Sequence, residues 1–170
     1  MTEDPPAPAM PLEDQVKAAF VYNFARFVEW PSDALEPSGV PLTICVLGDD
    51  LMGRALEQAA RGKIVDGHSL TVRRLTERDP VGGCPILFVG AIPARARSDE
   101  LAKLQDRSVL TVSDSEGFAG DRSIVAFFKA GNKVRFRINI DAAQRARLKI
   151  SSRLLGVADV VHESSRKEGH

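Results

Sequence analysis

The stretch Pro41–Ala60, PLTICVLGDDLMGRALEQAA, decides the fold. Pro41–Leu47 is a continuous apolar run with β-branched residues, the pattern of a strand buried on both faces. Gly48-Asp49-Asp50 breaks it. Leu51–Ala60 then repeats apolar residues at 51, 55, 56 and 59, which is helical spacing. Asp49 or Asp50 is a natural N-cap, and Gly62 a natural C-terminal stop. A buried strand followed directly by an amphipathic helix is the unit of a parallel, helix-covered sheet.

The flanks extend that unit. Upstream, Leu12–Trp30 carries apolar residues at 12, 16, 19, 20, 24, 27 and 28, predicting one helix that ends at Pro31. Downstream, His68–Leu75 alternates as a second strand and Ile86–Val89 reads as a third. A helix near Ser98–Gln105 and a fourth strand at Val109–Val112 follow. Ser113–Asp121 is a polar loop around Phe118. Ser123–Lys129 and Lys133–Asn139 flank Ala130-Gly131-Asn132 as a hairpin. Asp141 is expected to cap a helix through Ala142–Leu148, continuing or restarting over Ser152–Val160. The fold class is α/β: a single-domain sandwich with a mostly parallel sheet, flanking helices and an antiparallel C-terminal hairpin. Residues 1–11 read as a flexible leader, 12–161 as the domain and 162–170 as a polar tail.

Composition narrows the function. The 170 residues hold 23 basic and 23 acidic side chains, a formal net charge of zero. That balance argues against nucleic acid and against charge-driven membrane binding. No apolar run reaches 18 residues, so no insertion into a bilayer is expected. The turn at Gly48–Arg54 lacks the second glycine of GxGxxG and the Lys-Ser/Thr of a P-loop, and it presents two carboxylates where a phosphate would lie. An Mg²⁺ site of the receiver type needs a further acid ending a central strand, yet Ile86–Val89 runs into Gly90. His68, His162 and His170 are scattered, and no GxSxG occurs. The chain is therefore read as non-enzymatic, with no cofactor and no metal.

Two features remain. Cys45 and Cys84 suit either two buried thiols or one disulfide between neighbouring strands. Aromatics concentrate in the first helix, where Phe20, Tyr22, Phe24, Phe27 and Trp30 are five of the chain's ten. Phe20, Phe24 and Phe27 fit the buried face; Tyr22 and Trp30 lie off it. Lys133, Arg135 and Arg137 share one face of their strand.

These residues add up to a resemblance. VKAAFVYNFARFVEWP (Val16–Pro31), Thr43–Gly48, Cys84–Val89 and the long stretch Val109–Ala158, with its F-x-I-N and ISS-x-LL elements, resemble the YfiR family of Gram-negative bacteria over about residues 12–160. The resemblance implies a periplasmic homodimer, its signal peptide removed, that represses an inner-membrane diguanylate cyclase through the cyclase's periplasmic part. It also implies an outer-membrane, peptidoglycan-associated lipoprotein that sequesters the repressor, lowered cyclic-di-GMP and biofilm, and a Cys45–Cys84 disulfide. Members with a second cysteine pair carry it where Ala119 and Ala126 align, so that bridge is absent. Asp121-Arg122-Ser123 replaces a common Gly-Gly, and Arg137 stands where Glu is common. Tyr22, Trp30, Phe118, Phe127 and Arg135 are the candidate partner-binding residues. A small-ligand receptor with its ligand at the C-terminal strand ends is the other reading.

Overall fold

The computed structural model describes residues 12–35, 37, 39–76, 79, 83–90, 104, 107–114 and 123–162. The first helix, α1 (Leu12–Phe27), is followed by β1 (Val28–Glu29), β2 (Leu42–Leu47), α2 (Asp50–Ala60), β3 (Ile64–Val65), β4 (His68–Leu75) and β5 (Ile86–Val89). Then come β6 (Leu110–Ser113), β7 (Val125–Ala130), β8 (Lys133–Asn139), α3 (Ile140–Arg145), β9 (Lys149–Ile150), α4 (Ser152–Leu155) and β10 (Asp159–Val161). The sheet runs β10-β8-β7-β6-β5-β2-β4-β3. Strands β4, β2, β5, β6 and β7 are parallel. Strand β8 returns antiparallel, as the hairpin reading required.

The continuous apolar strands divide their side chains between two cores. Ile44, Val46, Ile86, Phe88, Leu110 and Val112 join the core under α1 and α2. Cys45, Leu47, Leu87 and Val89 point the other way, into a smaller core with Cys84, Leu104 and Val109. This is why β2 and β5 carry no polar alternation. The disulfide between Cys45 and Cys84 lies in the smaller core, with Cα atoms 6.0 Å apart. Of the two open readings of the cysteines, the bridge is the one realised.

Three local expectations change, and one alternative is decided. Helix α1 stops at Phe27, because Val28 and Glu29 pair with Ile150 and Lys149 in a separate two-stranded sheet. Of the two caps offered for α2, Asp49 is the one used, accepting from the Met52 amide at 3.0 Å. Asn139, not Asp141, caps α3, accepting from the Ala142 amide at 3.0 Å. The final helix is the single turn α4; Asp159–Val161 instead forms a strand along β8. The open edge of β8 offers backbone partners to a β-branched segment just past Gly156, and sheet pairing wins over helical spacing. Of the expected Ser98–Gln105 helix only Leu104 is among the described residues, and Phe118 with its neighbours lies outside them.

Turn chemistry sets the registers. Asp66 (φ 52°) and Gly67 (φ 82°) both take positive φ between β3 and β4, the type I′ requirement. Gly131 (φ 64°) opens the β7–β8 turn. Arg147 (φ 60°) is less expected. It ends α3 in a Schellman motif, its amide bonding Gln144 O at 3.0 Å and the next amide, of Leu148, bonding Ala143 O at 3.0 Å. Glycine usually fills that position, and a side chain there costs about 1 kcal/mol or more.

The bridge closes a loop with a sequence separation of 39. Thiol titration of the unfolded, unreduced protein should find no free thiol. The double variant Cys45→Ala/Cys84→Ala should lose about 4 kcal/mol by the chain-entropy model, read by urea unfolding. Two titratable thiols, or an unchanged midpoint in the variant, would contradict the assignment.

Candidate partner-binding surface

An open parallel sheet binds ligands where its strand order reverses, here beyond the C-terminal ends of β2 and β5. Among the described residues the ends of β2 and β5 lie close together. The Gly90 amide donates to Leu47 O at 2.7 Å, drawing the two strand ends together. A Cβ on Gly90 would sit 2.5 Å from the Asp49 Cβ and 3.0 Å from Gly48 O, so glycine is required there. Over this end lies Lys17 of α1. Its ammonium bonds Asp114, just past β6, at 2.5 Å and Glu13 at 2.8 Å. Glu13 also meets Lys129 of β7 at 3.0 Å.

Charged groups thus converge on the strand ends but answer one another. Burial pulls the Lys17 pKa down, yet its hydrogen bonds to Asp114 and Glu13 outweigh burial and hold it above the usual lysine range. For Asp114 burial prevails over the Lys17 hydrogen bond and raises the carboxyl above its ordinary value. Asp14 is also raised, by burial first and then by the charge of Asp49. Glu13 is lowered by hydrogen bonds from Lys17 and Lys129. Among the described residues no group of His, Cys, Asp and Glu could hold a metal.

The candidate surface residues separate sharply. Tyr22 is half-buried, with the Arg26 guanidinium 5.6 Å and the Lys63 ammonium 5.7 Å from its ring centroid. Trp30 is half-buried and donates its indole N–H to Pro85 O at 3.2 Å, anchoring the chain beside the disulfide. Phe118 lies outside the described residues. Phe127 is a correction: it is 1% exposed and packs on Phe20, Phe24, Phe88 and Phe136, so it is core and cannot meet a partner. Arg135 is exposed, paired with Asp159 of β10 at 2.8 Å.

Sequence reasoning left Phe128 out altogether, and it placed Arg137 on one face of its strand with Arg135 without naming it a candidate partner-binding residue. Phe128 stands opposite Arg135 in the hairpin register, one position beyond the buried Phe127. The Arg137 guanidinium lies 4.7 Å from its ring centroid. Strand alternation was the available signal: Phe136 and Ile138 inward place Arg135 and Arg137 outward, and pairing then carries Phe128 out with them. The outer hairpin face is a cation–aromatic patch of Phe128, Arg135 and Arg137 with Asp159 at its edge. Arg135 and Asp159 are both about half exposed (49% and 44%), so their pairing is weak and can yield to another acid.

The described residues thus form an α/β domain with an ion-paired strand end and a cationic, aromatic outer hairpin. A family model described as YfiR/HmsC-like matches residues 14–159, and the chain belongs to that family. The family consists of periplasmic, non-catalytic regulators in diguanylate cyclase systems. No curated protein matches the chain. Among the described residues no helix is long and apolar enough to cross a membrane.

Two variants test the strand-end network. Lys17→Met leaves Asp114 part-buried without its cation and should cost about 3 kcal/mol, most of it recovered by adding Asp114→Leu. No loss in the single variant would show that the ion pair is not structural. Asp14 gives a pH signature. Its proton is held more tightly in the folded chain, so its ionisation opposes folding as pH rises through a folded pKa above the ordinary 3.8. Asp14→Asn should therefore raise Tm at pH 7 and leave it unchanged near pH 3. Equal effects at both would contradict the burial account.

Proposed function

We propose that this chain represses an inner-membrane diguanylate cyclase by binding the cyclase's periplasmic part, and so lowers cyclic-di-GMP and biofilm formation. The observation that carries the reading is family membership over residues 14–159, nearly the whole domain. The chain acts as a homodimer. An outer-membrane, peptidoglycan-associated lipoprotein sequesters it and relieves the repression. The Cys45–Cys84 bridge suits the oxidising periplasm.

The repressor contacts its target through the outer hairpin face, with Arg135 and Arg137 meeting acids and Phe128 supplying apolar area. Aromatics and arginines are the residues that dominate interface energies. Binding shifts the cyclase only by the difference in affinity for its inactive and active states. Moving a 1:99 population to 99:1 takes about 5.5 kcal/mol of difference. An ordinary interface of about 1,600 Å² is large enough to supply it.

The test is genetic and biochemical together. Deleting the gene should raise cellular cyclic-di-GMP, and Arg135→Glu should do the same while leaving Tm within about 2 °C of the parent. A deletion that leaves cyclic-di-GMP unchanged with the cyclase present overturns the repressor reading. A fully repressing Arg135→Glu overturns the placing of the surface.

A further inference from the structure

At the opposite end of the sheet, by the N-terminal ends of β5 and β6, lies a cleft of about 360 Å³. The segment leading into β5 supplies Cys84 and Pro85, and the segment leading into β6 supplies Arg107 and Ser108. Asp33 and Arg147 complete its charged lining. The volume lies within the range of small-molecule sites. Its floor is fixed. Cys84 is held by the disulfide, Pro85 O accepts from Trp30 Nε1 at 3.2 Å, and Ser108 Oγ donates to Ala146 O at 2.6 Å.

The two guanidiniums are held differently. Among the described residues Arg147 pairs with Asp33, at 3.5 Å, with both side chains more than half exposed. Arg107 has no ion-pair partner among the described residues. Arg147 also takes a positive φ, at the helix end where glycine would be unstrained. A strained backbone bearing a long cation aimed into a cleft is the kind of outlier from which a function is inferred.

We propose that this cleft binds a small organic anion with two or more carboxylates, held by Arg107 and Arg147. Guanidinium matches carboxylate in planar, two-bond geometry. Among the described lining residues, two such groups stand against one acid, an excess of one positive charge. Asp33 is the internal competitor: it occupies Arg147 loosely when the cleft is empty and gives way to the ligand's carboxylate. The site is separate from the hairpin face, and its test does not depend on a cyclase.

The experiment is calorimetric titration of the full, oxidised chain with citrate and with succinate, at ionic strength matched with NaCl. Saturable binding is expected. Arg107→Gln should weaken it tenfold or more. Arg147→Gly should weaken it as much while leaving Tm unchanged or higher, since glycine relieves the positive φ; that separates lost binding from lost folding. Asp33→Asn should tighten binding by removing the competitor. Arg54→Gln, on the exposed side of α2 across the sheet, should change nothing. The proposal is overturned if neither anion binds saturably, if both cleft arginine variants bind like the parent, or if Arg54→Gln weakens binding equally.

Discussion

The fold depends on where Phe24 goes. It is fully buried, its ring centroid 5.0 Å from that of Phe136 and 5.9 Å from that of Phe127. Phe20 adds contacts to the same pair, and Phe88 of β5 reaches Phe127 at 6.4 Å. Helix α1 from the start of the domain is thus clamped to a hairpin more than a hundred positions later. Aromatic pairs of this kind contribute about 0.5–1.5 kcal/mol each beyond the area they bury. The cluster does more than stabilise. A hairpin that turns Phe127 and Phe136 inward has no freedom over its other face, because side chains alternate along each strand and a one-residue slip would reverse both faces together. Phe128, Arg135 and Arg137 face outward as a direct consequence.

The two ends of the sheet are finished in contrasting ways. At the C-terminal ends, Lys17 ties α1 to the end of β6 through Asp114 and, through Glu13 and Lys129, to β7. At the N-terminal ends, the disulfide, the Trp30 indole and the Ser108 hydroxyl fix the loops around an open cleft. One end is tied by ion pairs and the other holds a recess. The outer hairpin belongs to neither, and it is the surface proposed to meet a partner while the sheet core stays undisturbed.

Much of this was legible in the sequence. The apolar runs of β2 and β5, the helical spacing of α2, the β4 alternation and the hairpin turn at Gly131-Asn132 are local signals, and each element formed where its pattern pointed. What failed to read depended on partners distant in the chain. Val28 and Glu29 leave helical geometry for the backbone of Lys149 and Ile150, and no local pattern announces that pairing. Asp159–Val161 leaves helical spacing for the open edge of β8. The error at Phe127 has another origin: in the adjacent pair Phe127-Phe128 only the register against Phe136 decides which ring is buried. The N-terminal cleft was illegible for the same reason, since Asp33, Cys84, Arg107 and Arg147 come together only through the fold.

The central claim is that hairpin register divides core from partner surface. It is tested most directly by introducing one acid at each of the two adjacent phenylalanines and comparing Tm with affinity for the cyclase's periplasmic domain. The account predicts that Phe127→Glu unfolds the protein, whereas Phe128→Glu melts near the parent temperature and loses partner binding. A stable, non-binding Phe127→Glu beside a fully binding Phe128→Glu would contradict it.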